Sequence, residues 1–489
     1  MSEERNTNDA QWELEEEHWS EFYPDEVDEM LEELRLERAD EDDKPQHEEI
    51  MELANEHAWM FIRGSRSGTV VTDLPSGSIT REGQVPPIPT RDAALDGRRS
   101  ILLYHAGGTR FAQGRELLTR LHAKNGASLG LGVSVSIPRH SAKKIADVFD
   151  CSVAALRIAD PEAFWFDQEV LQLASTDPET YTHQQTGIAA ARRAARLKEF
   201  APYLHRLSDN YFIDEVVEAQ RAAGANLILT SGRALSTSHP TRSIENLIQE
   251  GDHVHSLLST NERMALNITL PLDFITNESL CDALLAELLE REQFDVWHVR
   301  GQWRNNEDGA VLKDPTALKF YKNLSNLAEE EGRVLLLPQS GLTGWYFLAH
   351  GARGFGTGTS MAQQAFLQHR PFARQPGIPN VQRIFERALL HPVEFTFHLS
   401  LRDQPKYVAC DCRWCEAIDA TQVYNRTTSG WHTLYNHGAL TASARGSDST
   451  GGRRAAVRKI LRRAQAFRND QNLLGKNDPK HLSNWSELL

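Results

Sequence analysis

Long apolar runs are missing from this chain. No stretch of about 18 consecutive apolar residues occurs, so no transmembrane helix is expected. The first ten residues, MSEERNTNDA, are charged where a secretory signal would be apolar, and a cytoplasmic protein without membrane contact is the expectation. Cysteine is scarce as well: Cys151 and Cys281 stand alone, which excludes a disulfide framework, while Cys410, Cys412 and Cys415 fall within six residues and point to metal. Positive charge is also in deficit, with 53 Lys/Arg against 68 Asp/Glu for a net of -15, and such a balance spread evenly would argue against a nucleic-acid partner. It is not spread evenly. Residues 1–50 hold 21 acidic and 4 basic side chains, so the remaining residues sum to +2 and exclude no polyanion.

What is present is a chain of 489 residues, 40% hydrophobic and 25% charged, with enough apolar residues for a large core. That length exceeds one average domain and suits an α/β barrel with appendages. Residues 1–63 read as an acidic extension in which Trp12, Leu14, Trp19, Phe22, Met30, Leu31, Leu34 and Leu36 give a helix one apolar edge. Three roles fit it: a solvated tail, a segment for a protein partner, or a mimic of nucleic-acid charge that shields a basic groove. A Gly/Ser/Pro-rich linker is expected over 64–97, a (β/α)8 barrel over 98–370, a metal-binding subdomain over 371–450, and a basic closing helix with its tail over 451–489.

Eight β-like runs alternate with helical stretches: 101–105, 131–137, 153–159, 226–231, 264–270, 295–301, 334–339 and 354–359. Eight is the number that closes a (β/α)8 barrel, whose strands end at the face where active sites gather. In the fifth run Asn267 and Thr269 alternate with Leu266, Ile268 and Leu270, and in the sixth His298 and Arg300 alternate with Trp297 and Val299. Several inward polar side chains at one barrel mouth suit a polar ligand, with structural hydrogen bonding as the alternative. After the eighth run, C-x-C-x2-C at Cys410, Cys412 and Cys415 is followed by His432 and His437. Thiolates so spaced curl round one ion, and a histidine from the next helix completes a closed, structural Cys3His zinc site.

This arrangement resembles the tRNA-guanine transglycosylase superfamily of queuine and archaeosine transglycosylases, which includes DNA-modifying and DNA-glycosylase-like members. The likeness covers roughly residues 100–470, and its specific part is the zinc motif. The resemblance implies a (β/α)8 TIM barrel with an inserted zinc subdomain, and His437, preceded by Leu434 and Asn436, looks like the fourth ligand, with His432 still in contention. The family's D-S-G-G-F resembles Asp160-Pro161-Glu162-Ala163-Phe164, which makes Asp160 the leading catalytic carboxylate, with Glu162 and Asp273 behind it. The guanine-reading acid of the next strand is absent from Leu229-Thr230-Ser231-Gly232, and V-Q-G-G becomes Ile268-Thr269-Leu270-Pro271. At the eighth strand, where the family carries a nucleophilic Asp, the chain reads Gly351 to Gly358 without an acid, and from Ala352 to Arg402 only Glu386 and Glu394 are acidic.

Base exchange through a covalent sugar intermediate needs that nucleophile, whereas hydrolysis needs only a carboxylate to stabilise oxocarbenium charge or activate water. The first expectation is therefore an N-glycosylase that flips a base, one other than plain guanine, into the barrel and hydrolyses it off, for instance in defence against phage DNA. Ser231, Thr269, His298, Arg300, Gln302, Gln339 and Ser340 are the candidate base-binding residues, and Trp303 or Trp345 the candidate stacking partners. Residues 451–468 carry seven Lys/Arg and no acid, with Arg454, Arg458, Lys459 and Arg462 near one helical face as phosphate contacts, DNA being preferred to tRNA. The competing readings are a transglycosylase inserting a deazaguanine-type base, a noncatalytic nucleic-acid-binding subunit, and a small-molecule barrel enzyme with Gly351 to Thr359 as a phosphate loop.

Overall fold

The computed structural model describes residues 86–489 except 98, 107–110, 127, 151, 167–209, 304–310, 367–381, 406, 411, 445–448 and 472. The acidic extension, and with it the expected helix between 11 and 60, lies outside the described residues. Eight strands form one sheet: β1 (Ser100–His105), β2 (Leu129–Ser136), β3 (Leu156–Asp160), β4 (Ile228–Leu229), β5 (Met264–Leu270), β6 (Val296–Gly301), β7 (Val334–Leu337) and β8 (Gly354–Thr357). Their order, β3-β2-β1-β8-β7-β6-β5-β4, is parallel throughout, and the sheet is nearly closed into a (β/α)8 barrel. Each of the eight expected strands is present.

The remaining seam, between β3 and β4, is bridged by a side chain. Asn226 accepts from the Arg157 N–H through Oδ1 at 2.8 Å and donates through Nδ2 to the Ala155 carbonyl at 2.8 Å, while its own N–H donates to the Arg157 carbonyl at 3.0 Å. A carboxamide carries both a donor and an acceptor, so one Asn can stand in for a ladder rung. This explains why β4 is shorter than its apolar run: Asn226 is spent on the seam, and the Ser231 N–H turns away to the Glu250 carboxylate.

Alternation along the strands divides inside from outside. Ile101, Leu103, Leu156, Ile158, Leu227, Leu229, Ala265, Val296, Val334 and Leu336 form one buried cluster, the apolar filling of the barrel. Ala94 and Leu95 join it from the helix Arg91–Leu95, which lies within the stretch read as linker and is capped by Thr90. The next inward positions toward the carboxyl ends are polar: His105, Ser134, Asp160, Ser231, Asn267, His298 and then Arg300, all buried. Outward residues such as Leu102, Val133, Leu266, Trp297 and Leu335 meet the surrounding helices. Those helices follow local rules: Pro240–Leu257 and Pro315–Glu330 both begin with proline at their first position, and Asp314 caps the second by accepting from the Ala317 N–H at 2.9 Å.

Beyond β8, the antiparallel pair β9 (Arg383–Glu386) and β10 (His391–Glu394) precedes the helices Phe395–Leu401, Arg413–Thr421 and Arg426–Ser443. The helix Thr450–Asn469 then packs back through Val457 and Leu461. The helix His481–Leu488 completes the chain by stacking Trp485 on Tyr346 at 4.5 Å. Among the described residues no helix is long and apolar enough to cross a membrane.

Candidate functional site

The barrel mouth is built around an ion pair. Asp160, the last residue of β3, meets the Nη2 of Arg300 from β6, and the two side chains are 2% and 0% exposed. Asp160 Oδ1 also accepts from the Glu162 N–H at 3.1 Å and lies 3.4 Å from Asn267 Nδ2. Asn267 Oδ1 in turn faces Arg300 Nη2 at 3.3 Å and His298 Nδ1 at 2.9 Å. Its amide orientation is fixed from both sides, because Nδ2 also donates to the Thr230 carbonyl at 3.3 Å. Gly232, in the left-handed region at φ 76°, sits where a Cβ would come within 2.3 Å of Asn267 Nδ2, so only glycine allows that amide its place.

Burial, with the charge of Arg300 and the neighbouring His105, holds the His298 imidazole well below its ordinary pKa, and the ring is neutral. Its Nδ1 faces a fixed carbonyl oxygen and therefore carries the hydrogen, which leaves Nε2 as a bare lone pair. Among the described residues that atom is buried without a hydrogen-bond partner, and so are Nε and Nη1 of Arg300. The guanidinium carbon lies 4.9 Å from the Phe164 ring centroid and 5.9 Å from that of Phe366, and the two rings meet edge to face at 4.8 Å.

The other sequence candidates fall nearby but in different roles. Ser231 gives both its N–H and its hydroxyl to Glu250, the hydroxyl at 2.9 Å. Thr269 donates to the Gly232 carbonyl at 2.9 Å, and the Ser340 hydroxyl donates to the carbonyl of Leu337. Gln339, at φ 48°, gives its N–H to His105 Nε2 at 2.9 Å, and its Oε1 is buried without a hydrogen-bond partner among the described residues. Gln302 donates its N–H to the Leu270 carbonyl at 2.8 Å. Trp303 and Trp345 belong to the packed layer outside the sheet, Trp303 edge-on to Tyr321. The absence of an acid on β8 has a steric counterpart: a Cβ at Gly356 would lie 2.5 Å from His105 Nε2 and 2.8 Å from the Gln339 nitrogen. His105, which sequence reasoning missed, fills the space a side chain on β8 would need. Glu162 was a reserve candidate; it accepts from the Ser136 hydroxyl at 2.6 Å and holds a left-handed φ of 47°, a backbone cost tolerated where surroundings demand it.

The second cluster gathers Cys410, Cys412, Cys415 and His432, whose ligand atoms all lie within 4.8 Å of one another and could hold a metal ion. His432 Nδ1 is 3.2 Å from both Cys412 Sγ and Cys415 Sγ. Its Nε2 donates to the Phe385 carbonyl at 2.7 Å, which fixes the tautomer that leaves Nδ1 for a metal. Cys412 caps the helix Arg413–Thr421, and its sulfur accepts from the Cys415 N–H at 3.3 Å. Burial disfavours charge on His432, yet hydrogen bonds with Cys410 and Cys412 raise it to about 10.

The histidine that joins the three cysteines in a set able to hold a metal ion is His432, and the assignment to His437 is corrected. His437 Nδ1 pairs with Thr357 Oγ1 at 2.9 Å, its ring packs on Phe385 at 5.2 Å, and burial pushes it down to about 3. Five residues along a helix rotate a side chain by about 140°, so the two histidines cannot face the same cysteines. Beside this cluster Glu386 accepts from His398 Nδ1 at 2.8 Å and from the Tyr407 hydroxyl at 3.3 Å, a buried structural network.

On the closing helix, Arg454 donates to the Ala349 carbonyl at 3.2 Å and Arg458 to the main-chain oxygen of Leu489, while Lys459, Arg462 and Arg463 are exposed. No protein-family model matches the chain, and no curated protein matches it.

Proposed function

We propose that the barrel mouth handles a nucleobase and that the protein is a nucleic-acid N-glycosylase, related by its zinc element to the transglycosylase superfamily. The observation that carries this reading is the Asp160–Arg300–Asn267–His298 cluster: a fixed carboxylate at the carboxyl end of β3, beside buried hydrogen-bonding atoms that have no partner among the described residues. Buried polar groups in native interiors are as a rule hydrogen-bonded, to protein or to ordered water, so unmet ones at a barrel mouth suit a polar ligand or water. In this reading Asp160 stabilises the oxocarbenium-like sugar, and Arg300 stabilises the charge that the departing base takes with it. Water supplies the oxygen that bonds to the anomeric carbon as the C–N bond breaks, and one of its protons goes to the base. Hydrolysis is favoured over exchange because β8 offers no carboxylate and Gly356 has no room for one.

Zinc suits three thiolates and one imidazole, and a closed four-ligand set leaves no position for chemistry, so its role is structural. The exposed Lys459 and Arg462 support a phosphate-contacting face, with DNA preferred. Mass spectrometry of bases released from natural and modified DNAs and from tRNA tests the reading: a free base and an abasic site support it, and incorporation of a labelled free base would restore transglycosylation. One observation favours a noncatalytic binding subunit instead, namely that Arg300 neutralises Asp160. That alternative predicts nucleic-acid binding with no base released from any substrate.

A further inference from the structure

We propose that the helix His481–Leu488 is an acid-released latch, seated on the barrel only while the imidazole of His481 beneath it is uncharged. The device is independent of what the barrel mouth binds.

The helix is held by its inner face. Trp485 stacks on Tyr346 at 4.5 Å and gives its indole N–H to the Leu312 carbonyl at 3.2 Å, and the Tyr346 hydroxyl donates to the Trp485 carbonyl at 3.0 Å. Asn484 donates to the Lys313 carbonyl at 3.0 Å. These contacts reach two connections of the barrel: Leu312 and Lys313 lie after β6, and Tyr346 lies on the helix Gly341–Phe347 after β7. The Leu312 N–H donates to Thr343 Oγ1 of that helix at 2.9 Å, so the latch closes over the joint between them.

At the start of the latch His481 packs ring against ring on His391 of β10, with centroids 5.5 Å apart and planes at 32°, and its other neighbour is Trp485 at 4.7 Å. Both imidazoles are fully buried. The charged groups around them offer no counter-charge. Lys313 and Arg468 oppose a proton on His481, as does His391, whose Nε2 donates to the Lys476 carbonyl at 2.9 Å. Of the acids, Asp478 is bound to Arg468 at 2.6 and 3.1 Å, and Glu394 faces Arg383 at 3.6 Å. Glu386, opposite His391 in the ladder of β9 and β10, accepts from His398 and Tyr407. The Leu390 main chain favours the proton, but burial and then the neighbouring charges outweigh it and hold His481 well below its ordinary pKa. A protonated His481 would be a buried charge without a partner, and releasing the helix to water relieves it. Because the docked pKa is depressed, docking is fully supported above the unfolded value of about 6.5 and weakens below it; an opening that takes up one proton becomes about tenfold more populated for each pH unit of acid.

Hydrogen exchange of the full chain between pH 7 and pH 5, read by mass spectrometry and corrected for the intrinsic acid dependence of amide exchange, tests this. Opening of His481–Leu488 should rise about tenfold from pH 6 to pH 5, with Val311 to Lys313 opening alongside, while the helix Glu278–Leu289, which has no histidine, changes less than about threefold. In His481→Gln and in His481→Phe, neither of which can gain the charge, the rise should vanish. Equal opening of the latch at pH 7 and pH 5 overturns the proposal, and so does a rise that persists in either variant that folds. If neither variant folds, the parent decides by itself: a rise confined to the latch and its joint supports the device, and a rise shared by Glu278–Leu289 means general acid unfolding and overturns it.

Discussion

The metal centre and the barrel mouth are both buried polar clusters set in apolar surroundings, yet their hydrogen-bond accounts close differently. At the metal centre every ligand atom converges within 4.8 Å and the outer nitrogen of His432 is tied to Phe385, so a single cation would complete the set. At the mouth the charges already cancel between Asp160 and Arg300, and what is left over is a lone pair on His298 and donors on Arg300. The first cluster could hold a metal ion; the second leaves buried hydrogen-bonding atoms unmet among the described residues. Burial alone, which both share, does not separate structure from function.

The sharpest way to break this comparison is to remove one ligand from the metal centre. Cys412→Ser should abolish stoichiometric zinc and lower folding stability by more than about 4 kcal/mol, because metal binding and folding are one event. His432→Ala should do the same, while His437→Ala should retain metal and lose only packing. Elemental analysis with thermal unfolding decides, and retention of zinc by His432→Ala would return the ligand role to His437.

At the mouth, Arg300→Met leaves the Asp160 carboxylate buried and unpaired, at a cost of about 3–5 kcal/mol, and pairing it with Asp160→Asn should recover much of that loss. Asp160→Asn alone should stop release of free base while nucleic-acid binding survives. Full activity in that variant would move the catalytic carboxylate to Glu162 or Asp273.

Acid should separate the clusters more gently. Burial keeps His298 neutral, so its folded pKa is depressed below the unfolded value of about 6.5. The unfolded chain then binds more protons in that window, and the stability contributed by neutral His298 is present above about pH 6.5 and lost as pH falls below it. His298→Gln should lose less stability than the parent between pH 7 and pH 5 in urea titrations; parallel losses would mean that His298 titrates normally.

The smallest effects belong to the surface. Lys459→Ala with Arg462→Ala should weaken nonspecific DNA binding and flatten the log affinity against log salt plot by about 1–2. Arg454 and Arg458, engaged with main-chain oxygens, should contribute less. Removing residues 1–60 should strengthen binding at low salt and steepen that slope if the acidic segment screens the basic face. Unchanged binding would assign the segment to solubility or to a protein partner.

The sequence by itself determined whatever rests on local periodicity and spacing. Alternation in runs such as Met264-Ala-Leu-Asn-Ile-Thr-Leu270 is enough to specify a strand with one polar inward set, and eight such runs separated by helices leave few alternatives to a barrel. Three cysteines within six residues likewise bring their thiols together in any compact backbone. Only the tertiary structure decided which partner each group meets. His432 and His437 share a helix and a composition, and the packing of that helix against Phe385 turns one toward the cysteines and the other toward Thr357. Asp160 and Arg300 are 140 positions apart, so no local pattern reveals that the leading carboxylate arrives already paired. Arg454 and Arg458 look like their basic neighbours until Ala349 and Leu489 come within reach. Side-chain type and period are properties of a few adjacent residues; hydrogen-bond satisfaction is a property of the folded surroundings.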